Sequence, residues 1–178
     1  VLPQYQKQGA AGAAVRADGF LAGLNNAGLI RTTGAGGEAI VGGSNVLGPI
    51  VNSGTILATQ GAAIAIGPAT TLGPPILLVA PGPSFNISNT ASGVIQGGPA
   101  DGSGVAIDES GAGNRLAITT AGTIIGAIKL GPAGGELFVT GGSIIGAISG
   151  QSGSGDAVDF NTTSGFATGG SIANVDTI

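Results

Sequence analysis

The sequence predicts an all-β solenoid of about six or seven coils, and three observations carry that reading. Glycine occupies 37 of 178 positions, about three times its usual share. Charged residues make up only 8%, against a usual ~25%. A short motif also recurs along the chain: a small or polar pair, Gly, one residue, then Ile. Interior glycines cost a helix about 1 kcal/mol each, so an ordinary helical globule is excluded. Disorder fits badly as well, because Ile, Leu, Val and Phe together supply roughly a quarter of the chain, enough to build a core.

Gln8 to Phe20 is Ala-rich, with Ala10, Ala11, Ala13, Ala14 and Val15. It reads either as a short helix covering the open edge of the first coil or as an unordered leader, since Gly9 and Gly12 weaken a helix. Residues 1–20 are therefore assigned to an N-terminal leader or cap, and 21–178 to the solenoid. The first motif begins at Asn26-Ala27-Gly28-Leu29-Ile30 and returns at Asn52-Ser53-Gly54-Thr55-Ile56. It reappears at Ala91-Ser92-Gly93-Val94-Ile95 and Thr120-Ala121-Gly122-Thr123-Ile124. Two further copies are Thr140-Gly141-Gly142-Ser143-Ile144 and Thr168-Gly169-Gly170-Ser171-Ile172. Their glycines lie 26, 39, 29, 20 and 28 residues apart, within the range of solenoid periods.

A second motif, Gly-x-Ala-Ile/Val, sits between these copies. It reads Gly37-Glu38-Ala39-Ile40, Gly61-Ala62-Ala63-Ile64, Gly104-Val105-Ala106-Ile107 and Gly155-Asp156-Ala157-Val158. A third element is an alternating strand, as in Phe85-Asn86-Ile87-Ser88, Leu116-Ala117-Ile118-Thr119 and Leu137-Phe138-Val139-Thr140. Each unit thus holds two or three very short strands with Gly-containing corners. One unit cannot bury its aliphatics alone, but stacked units form continuous ladders. Ala beside the second motif's Ile suits a tight inner corner. At ~4.8 Å per stacked strand the stack is about 30 Å long. The longest interval contains Pro68, Pro74, Pro75, Pro81 and Pro83. Proline lacks the ladder donor, so residues 67–84 are expected to leave the stack as a Pro-rich excursion.

Composition also excludes chemistry. There is no Cys and no His, so disulfides, thiolate metal sites and imidazole-based triads are impossible within this chain. Net charge is −4, and Lys7, Arg16, Arg31, Arg115 and Lys129 are scattered. Nucleic acid is not an expected partner, because neutralising phosphates takes clustered cations. Mean hydropathy is +0.47, yet the longest apolar runs, Ala62 to Ile66 and Ile76 to Ala80, fall far short of the ~20 residues of a membrane span. Val1 stands where an initiator methionine is expected, and no signal peptide is visible after it. The chain reads as a processed piece of a longer product.

The motifs Asn52-Ser53-Gly54-Thr55-Ile56, Thr123-Ile124-Ile125-Gly126 and Gly153-Ser154-Gly155-Asp156-Ala157-Val158-Asp159-Phe160 resemble the passenger regions of bacterial autotransporters. The resemblance covers residues 25–178. It implies a right-handed parallel β-helix displayed at the bacterial outer-membrane surface or released outside the cell. Passengers of that family serve as adhesins, self-associating biofilm factors, toxins or, less often, enzymes.

Four candidate sites are set against plainer readings. Gly111-Ala112-Gly113-Asn114-Arg115-Leu116 partly resembles calcium-binding toxin repeats, but Arg115 opposes a cation that takes six to eight oxygens. Asp156 with Asp159 is a second calcium candidate, without a tandem copy. Both also read as solvated corners. Asp101, Asp108, Glu109, Asp156 and Asp159 are the candidates for paired glycosidase carboxylates, which need a separation of about 5–9.5 Å. The adjacent Asp108 and Glu109 should face opposite sides of a strand. The pairs Thr32-Thr33, Thr119-Thr120 and Thr162-Thr163 are candidates for an ice-binding ladder, but adjacent residues cannot both face outward. No residue is therefore assigned a catalytic, cofactor-binding or metal-ligating role, and no cofactor is expected. The expected function is a non-enzymatic secreted or cell-surface stalk, adhesin or self-associating element that can form filaments. Its expected partners are other copies of itself or a host surface or matrix. The alternative is a β-helical polysaccharide-active enzyme or carbohydrate-binding module.

Overall fold

The computed structural model describes residues 5–7, 12–17, 23–43, 49–67, 86–162 and 167–178. Twenty short strands and no helix occur among them. The first coil holds β1 (Tyr5–Lys7), β2 (Val15–Ala17) and β3 (Leu24–Asn26). The second holds β4 (Leu29–Thr32), β5 (Ile40–Gly43) and β6 (Ile50–Asn52). The third holds β7 (Thr55–Ala58), β8 (Ile64–Gly67) and β9 (Asn86–Asn89), and the fourth β10 (Val94–Gly97), β11 (Val105–Asp108) and β12 (Leu116–Thr120). The fifth holds β13 (Thr123–Ile125), β14 (Ala127–Lys129) and β15 (Gly135–Val139). The sixth holds β16 (Ser143–Ile145), β17 (Ile148–Ser149) and β18 (Ala157–Phe160). The seventh contributes β19 (Ala167–Thr168) and β20 (Ile172–Ala173).

Every third strand belongs to the same sheet. Sheet S1 runs β1-β4-β7-β10-β13-β16-β19, S2 runs β2-β5-β8-β11-β14-β17-β20, and S3 runs β3-β6-β9-β12-β15-β18. All pairings are parallel, for example β4 with β7 and β12 with β15. The fold is a parallel β-helix.

Its core is built from three inward rows. Ile30, Ile56, Ile95, Ile124 and Ile144 are in register in S1. Ile40, Ile64, Ile107, Ile128 and Ile148 are in register in S2. Ile50, Ile87, Ile118, Leu137 and Val158 do the same in S3. All are buried. A fully buried aliphatic side chain contributes roughly 1.5–3 kcal/mol, so the rows hold the stack together. Ala39, Ala63 and Ala106 are buried beside the S2 isoleucines, as the second motif predicts.

Two expectations change. The helix read over Gln8 to Phe20 is not formed where that segment is described. Val15–Ala17 is a strand paired with Ile40–Gly42, and the Val15 amide donates to the Ala39 carbonyl. β-Branched Val15 suits a ladder that the rest of S2 already provides. The sixth copy of the first motif lies one sheet later than expected. Ile144 pairs with Thr168, while Ile172 pairs with Ile148 in S2. The last copy of the second motif is displaced likewise, since Val158 pairs with Leu137 in S3. A Gly followed by an inward aliphatic serves any corner, so this motif does not say which one. Of the expected excursion at 67–84, Gly67 ends β8, and residues 68–84 lie outside the described residues.

Candidate functional site

The outer face of S1 follows from strict alternation. Ile56, Ile95, Ile124 and Ile144 point inward, so their neighbours point outward. One outward row is Leu29, Thr55, Val94, Thr123 and Ser143. The other is Arg31, Leu57, Gln96, Ile125 and Ile145. From β7 to β16 this face carries no ionisable side chain. Ile145 is 36% exposed, and Leu57, Val94 and Ile125 are half-buried. The result is a strip with one row of mostly large side chains and one of smaller ones, met at its far end by Gly102, which lies against Ile145.

A second feature is an open groove of about 350 Å³ where S1 turns into S2. Glu38, Thr59, Gln60, Pro99 and Asp108 are among its lining residues. The turn over 98–104 forms one wall because coil four inserts residues there that coils five and six lack. Asp101 in that turn accepts from the Ser103 amide at 2.9 Å, and its hydrogen bonds to Ser103 hold its carboxyl below the usual range.

The five carboxylates singled out from the sequence part company. Asp108 and Glu109 do face opposite sides. Asp108 points outward, 3.0 Å from the Lys129 ammonium. Burial pushes its pKa up, but the Ser110 hydroxyl and Lys129 outweigh that and leave it lowered. Glu109 is fully buried, and neither carboxylate oxygen has a hydrogen-bond partner. Burial, with Asp156 and Asp108 nearby, pushes its pKa from 4.5 to about 8.

Asp156 is fully buried too, but fully engaged. It accepts from the Gly135 and Gln151 amides and the Ser154 hydroxyl, each at 2.6 Å. Asp159 is exposed on the opposite side of its strand, so Asp156 and Asp159 do not converge on a calcium ion. In the other calcium candidate, Arg115 forms an ion pair with Glu136 of the next coil. No group of three or more acidic residues that could hold a metal occurs among the described residues. Thr119 is exposed and Thr120 buried, and the outward neighbours of Thr119 are Ser88 and Phe138, so no threonine ladder forms there. Thr32 is buried beside half-buried Thr33, and Thr163 lies outside the described residues.

Sequence reading missed two things. Glu38, Thr59 and Gln60 come together only because coils stack. The burial of Glu109 had a signal. Aligning Gly61-Ala62-Ala63-Ile64-Ala65-Ile66 with Gly104-Val105-Ala106-Ile107-Asp108-Glu109 puts Glu109 in the column of Ile66. Comparison with known families, with curated proteins and with solved structures finds no match.

Proposed function

We propose that this protein is a non-enzymatic, surface-displayed or secreted β-solenoid that associates with copies of itself, as the autotransporter-like motifs first implied. The observation that carries this reading is the uncharged outer face of S1. Charged surfaces keep rods apart by repulsion, and sheet proteins normally place charge where association must be avoided. This face has none across four consecutive coils, β7 to β16. Its two rows are also self-complementary. A two-fold axis parallel to the stacking direction lays the row of Leu57, Ile125 and Ile145 against the partner's row of Thr55, Thr123 and Ser143. That is the isologous geometry of a closed dimer, and side-by-side repetition with a second face gives bundles.

Sedimentation velocity over a hundredfold concentration range tests the reading. Wild type is expected to shift to larger species with little dependence on salt, because few charges are involved. Ile125→Glu is expected to remain monomeric with an unchanged circular dichroism spectrum. A wild-type protein that stays strictly monomeric at the highest concentration overturns the proposal.

The groove at the S1–S2 corner favours a second reading, a carbohydrate-binding module. Glu38, Gln60, Thr59 and Asp108 offer the acceptors and donors that sugar hydroxyls require. A polysaccharide array decides it: binding abolished by Glu38→Gln supports this reading, and an array without signal removes it.

A further inference from the structure

The residue the fold explains least is Glu109. In S2 the register places it level with Ile66 of coil three and Leu130 of coil five, one step beyond the pairs Asp108–Ala65 and Asp108–Lys129. Its amide donates to the Lys129 carbonyl at 2.9 Å, which continues that ladder. Ile66 and Leu130 are both buried. A carboxyl group thus stands in an inward row that is aliphatic immediately on both sides.

The surroundings offer it nothing. Both oxygens are sealed from solvent without a donor. On its own strand the neighbouring charge is Asp108, which is itself occupied by Ser110 and Lys129. β8 and β12 carry no ionisable residue. On β14 the one ionisable group, Lys129, lies 3.0 Å from Asp108. On β15 it is Glu136, paired with Arg115. Just ahead of β18 stands Asp156, a second buried acid whose oxygens are held by Gly135, Gln151 and Ser154. Every charge close enough to shift Glu109 is therefore negative. An isolated carboxylate in such a place costs far more than a neutral acid.

We propose that Glu109 is a proton-operated latch at the S2–S3 corner of coils four to six. With the proton on, the neutral carboxyl packs between Ile66 and Leu130 and the corner stays closed. With the proton off, the carboxylate must reach water, and the corner containing Ala112, Leu130 and Gly131 opens while the coils before it stay stacked. The latch acts independently of self-association.

The direction follows from linkage. The proton is held more tightly in the closed corner than in the open one, where the ordinary value near 4.5 applies. Closure is therefore fully favoured below about 4.5 and weakens as pH rises toward about 8. The opening equilibrium rises by up to tenfold per pH unit across that window and levels off above it.

Amide hydrogen exchange between pH 5 and pH 9, corrected for the intrinsic rate, tests the latch. Wild type is expected to lose protection roughly 50-fold or more between pH 5 and pH 7 at Ala112, Ile128 and Leu130. Ile40 and Ile56 in coils two and three are expected to stay level. Glu109→Gln and Glu109→Leu are expected to flatten the response at the corner. A wild-type corner with no pH response overturns the proposal, and so does the same slope in both variants or the same slope in Ile40 and Ile56. If neither variant folds, the infrared carboxylic-acid band of wild type decides. Persistence of that band at pH 6.5 in a folded protein supports the latch, and its absence overturns it.

Discussion

Two corners of the solenoid bury polar side chains in opposite ways. Where S3 turns into S1, Asn26, Asn52, Asn89 and Thr120 form one inward column. The Asn26 amide donates to Asn52 Oδ1 at 2.8 Å, and the Asn52 amide to Asn89 Oδ1 at 2.9 Å. Each asparagine also caps a backbone carbonyl of the following turn: Asn26 that of Thr55, Asn52 that of Val94 and Asn89 that of Thr123. Where S2 turns into S3, the Glu109 carboxyl group has no partner, while Asp156 two coils on needs three separate donors from Gly135, Gln151 and Ser154. Polar burial is thus not costly in itself. An amide carries both donors and acceptors, so identical residues one coil apart satisfy one another indefinitely. A carboxylate only accepts, so a column of carboxylates cannot.

The comparison breaks most visibly at the middle of the asparagine column. Asn52→Ala removes an acceptor from Asn26, a donor from Asn89 and a donor from the Val94 carbonyl. The bonds to Asn26 and Asn89 are buried and that to the Val94 carbonyl is partly so, so the loss is expected to be about 3 kcal/mol in denaturant unfolding. Next in size is the opposite change at the other corner. Glu109→Leu matches the residues above and below it. Relative to wild type its stability is expected to grow by about 3 kcal/mol between pH 4 and pH 7, because wild type alone weakens over that range. Chemical melts at both pH values read the difference. A variant less stable than wild type at pH 7 would show that Glu109 has a stabilising partner.

Much of this contrast can be read from the sequence and part of it cannot. Asn26 and Asn52 stand two residues before the motif glycine, so their stacking follows once the repeat is seen. Asn89 stands four residues before Gly93, and two inserted residues hide its place in the column. The motif glycines themselves are legible for a physical reason. A Cβ on Gly54 or Gly122 would overlap a backbone carbonyl of the preceding coil, so the coils close up only without a side chain there. The last coil misleads because its motifs are displaced by one sheet, and a motif of Gly and one aliphatic carries no corner identity. The groove was invisible because Glu38 and Asp108 are 70 positions apart in the chain and meet only through the stack.

The end of the column gives a finer test. Thr120 lies 3.4 Å from the Asn89 amide, the longest link in the series. That amide also serves the Gly93 and Thr123 carbonyls. Thr120→Val keeps the shape and removes one weak acceptor, so its cost is expected to stay below about 1 kcal/mol. A loss as large as that of Asn52→Ala would mean that the column acts as one cooperative unit rather than as separate pairs.

The smallest effect is expected outside the core. Arg115 and Glu136 join coils four and five by an ion pair, but the side chains are 52% and 26% exposed. Water solvates both charges when either partner is removed, unlike at Glu109. Arg115→Ala is therefore expected to change stability by no more than about 0.5 kcal/mol, and that change should vanish in 0.5 M salt. The same substitution leaves a column of backbone ladder bonds between β12 and β15 untouched. If Arg115→Ala were instead to cost as much as Asn52→Ala, the register of these two coils would depend on a surface charge pair, and the inward rows would not suffice to set it.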